Sequence, residues 1–401
     1  MNTLYDQRST LLIVGACLAV SLVLGSVHAF SVFVPGWQEL PGADRGSLSL
    51  VYSIALVSLT LVVLVSHRIF ARLSPSTIFS IVGIVSAGGL YLSAKSSSLN
   101  SLYLFYGVLF GASNGLGYGY TLQLAGQIVK KHQGLTMALV TANYAVGATL
   151  APVLLVWLIG RGGNSQALTA AALIIFIVCM VAAVIVRLCR SEYTGTEQSA
   201  LVNLTAQERR LRLMLWFGYG AAVTAGLMII GHAFGVAIWM NIPAQLASLA
   251  PALVALGNML GGFSAGFIVE RYSNKRLLQV LPALSSVGLV LLLIPFNFTW
   301  VRLLALAIVG YGYGAIIALY PVVVAQSFGR SNSARVYGQV FTAWGTAGLL
   351  GPWLGGLLYD RTESYFGGIL LAVSLSVVSL LVIRASVIPT VSQSLMSKKS
   401  V

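Results

Sequence analysis

Residues Leu24–Trp37 read LGSVHAFSVFVPGW, and residues Met228–Trp239 read MIIGHAFGVAIW. Both stretches carry His-Ala-Phe-x-Val inside a long apolar run, at His28 and at His232. Two apolar helices with one signature, half a chain apart, point to a duplicated membrane unit. Within the apolar runs these two imidazoles are the side chains that change charge most readily near neutral pH. An ionisable group at membrane depth is costly, so it marks a functional site by default. The repetition places that site between two halves.

Composition agrees with a membrane reading. Of 401 residues, 58% are hydrophobic and 8% charged, whereas a soluble domain carries about 25% charged residues. The nine acidic residues lie in loops or at span edges. A net charge of +14 raises the question of nucleic acid. The Lys and Arg residues form no contiguous stripe with interleaved aromatics, and no nucleic-acid partner is expected. Three cysteines, with no CxxC or Cys/His spacing, give no metal or disulfide framework. No cofactor is implied: Gly117-Tyr-Gly119 and Gly312-Tyr-Gly314 sit inside apolar helices rather than in phosphate-binding loops.

A span needs about 20 apolar residues. That rule predicts twelve helices, over 11–35, 48–68, 76–94, 101–128, 134–159, 167–188, 213–240, 245–269, 277–296, 300–327, 336–359 and 366–387. The first run is too long for a signal-peptide core and reads as a membrane helix. The longest polar connection divides the chain into a six-helix bundle over 1–190, a cytoplasmic linker over 191–212 and a second bundle over 213–401. Of the 23 Lys and Arg residues, all but Arg45, Lys95, Arg161, Arg302 and Arg361 fall on one side of this arrangement. The positive-inside rule then puts both termini and the linker in the cytoplasm.

The repeat extends beyond the histidines. Gly115–Leu124 (GLGYGYTLQL) answers to Gly310–Pro321 (GYGYGAIIALYP), and Asn143–Pro152 (NYAVGATLAP) answers to Ala343–Pro352 (AWGTAGLLGP). Parallel six-helix repeats of this kind place a site at their interface near mid-membrane. The expected architecture is an all-α integral membrane protein with twelve transmembrane helices in two pseudo-symmetric six-helix bundles. Glycine-rich helices serve close packing or bending during alternating access.

These stretches resemble the major facilitator superfamily, and within it the oxalate/formate antiporter and monocarboxylate transporter branch. GSVHAFSVFVPGW is similar to that branch's opening motif, which has Tyr in place of His28. The segment from Gly310 to Thr362 resembles the branch more closely still. The superfamily's loop signature appears as Gly266-FIV-Glu270-Arg271-Tyr-Ser-Asn-Lys275-Arg276, with a degenerate first-half copy at Arg72. The resemblance implies alternating access around a central site, a small-molecule substrate, and function as a monomer. Two departures bear on the substrate. Gly262 stands where carboxylate carriers of the family often have Arg, and Trp344 stands where dicarboxylate carriers have Lys. Without those fixed cations a dicarboxylate would be buried unpaired, at a cost of several kcal/mol.

The expected substrate is therefore a small monocarboxylate, carried in symport with a proton or by antiport. His28 and His232 are expected to bind substrate and couple protons, each against the bland reading of a neutral packed imidazole. Tyr118, Tyr144, Tyr311 and Trp344 are expected to line the cavity, because polar-tipped aromatics orient small ligands. Glu270, Arg271, Lys275 and Arg276 are expected to form a cytoplasmic conformational latch. Trp37, Trp239 and Trp300 read as interfacial anchors. The expected location is a bacterial inner membrane. Alternatives are a carrier of neutral, zwitterionic or aromatic solutes, and a non-transporting sensor or assembly protein on the same scaffold.

Overall fold

The computed structural model describes residues 7–43, 45–129, 132–193, 204–247, 249–294 and 298–388. Residues 194–203 of the expected linker and the terminal Lys398 and Lys399 lie outside the described residues.

The helices are α1 (Gln7–Trp37), α2 (Arg45–Phe70), α3 (Pro75–Ala94) and α4 (99–128). Helix Gln133–Leu188 breaks at Gly162 and Gly163, giving α5 (133–161) and α6 (164–188). Then come α7 (Ala206–Trp239), α8 (Ala250–Ile268) and α9 (Asn274–Leu293). Helix Thr299–Thr362 breaks at Gly329, giving α10 (299–328) and α11 (330–362), and α12 is Phe366–Ala385. These are twelve membrane-length helices among the described residues. Gly163 and Gly329 adopt φ 68° and 71° with extended ψ. That region is open essentially to glycine alone, so sequence fixes both helix breaks.

Two helices differ from simple apolar spans. Gly25–Phe33 of α1 winds as a 3-10 helix, and Tyr103–Phe110 of α4 as a π-helix. The carbonyls of Leu24, Val27 and Phe33 accept hydrogen bonds from Asn114 (2.7 Å), Tyr106 (3.1 Å) and Asn164 (2.6 Å). Neighbouring helices thus pin the irregular turn that carries His28. At the other end of the sequence repeat, α7 begins two turns before the expected span. Thr205 and Glu208 form a reciprocal capping box there, a device that stabilises a helix start by about 1 kcal/mol.

The chain forms two compact units, Met1–Ala200 with Arg330–Gly338, and Leu201–Gly329 with Gln339–Val401. In the first, α1 lies against α5, α2 against α4, and α3 against α6. A methyl at Gly147 would land on the carbonyl of Leu22, and one at Gly115 on that of Leu59. In the second, α7 lies against α11, α8 against α10 and α9 against α12. Gly261 faces the backbone of Tyr311 in the same way. The corresponding pairings in the two units carry the repeat seen in sequence. Lipid tails are as apolar as the helices, so close packing of small residues takes over from the hydrophobic effect as the cohesive force.

Candidate functional site

The first unit gathers His28, Tyr118 and Tyr144 around one another. His28 Nδ1 lies 2.7 Å from the hydroxyl of Tyr52 on α2. The His28 ring meets Tyr144 edge-on, centroids 5.6 Å apart, and Tyr144 lies 5.0 Å from Tyr118. Tyr144 donates its hydroxyl to Asn114 Oδ1 at 2.8 Å, while Asn114 Nδ2 holds the Leu24 carbonyl at the start of the 3-10 turn. The Tyr118 hydroxyl reaches that of Tyr337 at 3.2 Å. Phe30 stacks on Tyr52 at 5.3 Å and completes an aromatic wall. These side chains meet hydroxyls, an amide and a backbone carbonyl. The arrangement offers hydrogen bonds and one titratable ring.

The second unit distributes its expected site residues among different partners. His232 Nε2 donates to the carbonyl of Pro352 on α11 at 2.9 Å, with the Tyr365 ring 5.6 Å away. A Cβ on Gly355 would stand 2.9 Å from His232 Cδ2, so α11 presents a smooth face to the imidazole. Burial, with Tyr359 and Asp360 adjacent, holds the Tyr365 hydroxyl above the usual phenol range, so it stays a neutral donor at pH 7. Trp344 is buried, donates to the Tyr313 hydroxyl at 3.2 Å and stacks on Phe341 at 5.1 Å. Tyr311 and Ser264 share a 2.6 Å hydrogen bond. The repeat in sequence therefore does not carry over into matching surroundings for the two histidines.

Around the loop signature, Ser273 caps α9 and Lys275 donates to the Ser386 carbonyl at 2.8 Å, tying the α8–α9 turn to the end of α12. Glu270, Arg271 and Arg276 are exposed. Trp300 is 65% exposed, as an interfacial anchor would be. Trp37 is 4% exposed and packs on Phe30, Phe33 and Tyr106 inside the first unit. Its place at a span end misleads, because the 3-10 turn swings it inward.

Tyr52 and Asn114 join the cluster as hydrogen-bond partners of His28 and Tyr144. A tyrosine within the apolar run of α2 and an asparagine within α4 were visible as polar intrusions. Their pairing with His28 and Tyr144 spans 24 and 30 residues and comes from tertiary packing.

Residues 211–398 match the family model described as Major Facilitator Superfamily. An MFS-type transporter of Escherichia coli (strain K12), YhjX, is 22% identical over 85% of this chain and 86% of its own length. Monocarboxylate transporter 12 of Rattus norvegicus is 23% identical over 90% of this chain and 82% of its own. Among solved structures, the transporter FucP in the outward conformation superposes with TM-score 0.72 at 12% identity, covering 94% of this chain and 99% of that one. The proton:xylose symporter XylE gives 0.71 at 12% identity, covering 97% and 99%. Fold, family model and relatives all point to the major facilitator superfamily. The matched family and the fold are those of membrane transporters, not of enzymes.

Proposed function

We propose that the chain moves a small monocarboxylate across the membrane by alternating access, with a proton in symport. The observation that carries this reading is the His28 cluster, in which one titratable ring sits among tyrosine hydroxyls. A protonated His28 supplies a transient positive charge for a carboxylate, and Tyr52, Tyr144 and Tyr118 supply donors and an apolar wall. The kinship with monocarboxylate transporters supports the substrate class. His232 is read as the positioning member of the pair, because its Nε2 proton is committed to the Pro352 carbonyl.

Uptake of radiolabelled small monocarboxylates into proteoliposomes tests this. Uptake should rise as external pH falls. His28→Ala should abolish that dependence. Retention of the full pH profile in His28→Ala would sink the coupling.

The same aromatic cluster supports a second reading, a carrier for neutral, zwitterionic or aromatic solutes. Inhibition of uptake by uncharged aromatics and indifference to carboxylates would favour it. The rest of the reading follows the family and the charge pattern: a monomer in a bacterial inner membrane, both termini cytoplasmic, with bundles over 1–190 and 213–401. Glu270, Arg271, Lys275 and Arg276 would act as the latch. A reporter fused after residue 401 that was active only outside the cytoplasm would overturn this topology.

A further inference from the structure

We propose that the cleft between the first turns of α7 and the end of α12 binds an anionic phospholipid. It encloses about 400 Å³, and Arg210, Leu211, Met214, Ala385 and Val387 help to line it. Glu208, the nearby carboxylate, is turned away, since it holds the Thr205 backbone N–H at 2.8 Å and the Thr205 hydroxyl at 2.9 Å. Arg212 donates to Gln339 Oε1 at 2.9 Å. Among the described residues no side chain or carbonyl pairs with Arg210. A second cation stands beside the opposite wall, because Lys275 Nζ is held on the Ser386 carbonyl, between the lining residues Ala385 and Val387.

The walls decide between a lipid and a free anion. Leu211 is buried, Met214 is half-buried, and Val387 is 67% exposed. Inorganic phosphate would meet the cations and leave these apolar groups in water, whereas a phospholipid covers them with its glycerol and upper acyl segments. The cleft lies at the start of α7 and the end of α12, the span ends that the positive-inside rule assigns to the cytoplasmic surface, where headgroups would sit. Basic pockets between transmembrane helices at that depth select anionic lipids. With Arg210 and Lys275 present and Glu208 engaged in the cap, the cleft favours a net negative headgroup over a zwitterionic one.

Native mass spectrometry of the full-length protein, purified from mixed phosphatidylglycerol and phosphatidylcholine, tests the assignment. The expected result is preferential retention of phosphatidylglycerol. Arg210→Ala should lower it about fivefold, the equivalent of the ~1 kcal/mol that one basic residue contributes at an anionic surface. Arg161→Ala, a basic residue at the far end of α5, should leave retention unchanged, and an unaltered melting temperature verifies that each variant folds. Val387→Asn, which spoils the apolar wall without adding charge, should also reduce retention. Equal retention of the two lipids, or no effect of Arg210→Ala, would overturn the proposal. So would full displacement by inorganic phosphate with Val387→Asn unaffected, which would mark a plain anion site. Preferential retention seen only after deletion of residues 389–401 would equally overturn it, by naming the chain's own tail as the occupant.

Discussion

Asn114 holds two helices at once, accepting from Tyr144 and donating to the Leu24 carbonyl. Because it is buried, neither bond can be replaced by bulk water. Tyr144→Phe removes one donor and strands an amide oxygen, a loss of about 1–3 kcal/mol. The variant should show a lower melting temperature in detergent together with weakened substrate uptake. The histidines separate on a similar test. His232→Ala empties the space against Gly355 and leaves the Pro352 carbonyl without its donor. It should lower thermal stability while preserving the pH dependence of uptake, whereas His28→Ala should do the reverse. Loss of pH dependence in His232→Ala alone would exchange the roles assigned to the two.

Helix pairs are set by where a side chain is absent. The α1 and α5 backbones approach so closely that a methyl on Gly147 would overlap the Leu22 carbonyl. Gly147→Leu should therefore push α1 away from α5 and lower the yield of folded protein severely. Overpacking in a tight interface typically costs 1–3 kcal/mol, and here the obstacle is backbone that has no rotamer to yield. Gly88→Ala in α3 is the matched comparison, since a Cβ there meets nothing within 4 Å. It should be neutral or slightly stabilising, as an alanine is in a helix interior. Equal expression and melting temperature for the two variants would remove the argument that close approach selects glycine in α5. The 3-10 turn of α1 belongs at this scale too. Its irregularity is held by Tyr106, Asn114 and Asn164, all contributed by other helices.

Across the whole chain, α11 is the helix shared between units. Its first turns, Arg330–Gly338, belong to the first unit, and the remainder belongs to the second. Within the first unit Ser333 donates to Gln123 Oε1 at 3.0 Å, Tyr337 meets Tyr118, and Gly338 lies on the α2 backbone. A Cβ at Gly338 would stand 2.6 Å from the Val63 carbonyl oxygen and 2.8 Å from Leu64 Cα. Gly338→Leu should dislodge this segment and slow transport strongly, with a smaller loss of stability than Gly147→Leu causes. Uptake rates and melting curves on the same preparations measure both effects. Unchanged uptake would show that this seat is dispensable for transport.

The sequence by itself determined twelve spans, their glycine breaks and the internal repeat. Span length answers to bilayer thickness, a positive φ answers to glycine, and duplication leaves matching words such as the two His-Ala-Phe stretches. These are local or periodic properties, legible without knowing which helix neighbours which. Tertiary structure alone decided what each repeated residue touches. His28 found Tyr52 and Tyr144, while His232 found a proline carbonyl and a glycine face. Trp37, at a span end like Trp300, turned inward because the pinned turn of α1 carries it there. Hydrogen-bond partners separated by 24 to 120 residues depend on helix rotation and approach distance. Those are set by packing across the whole unit, which no single stretch of sequence records.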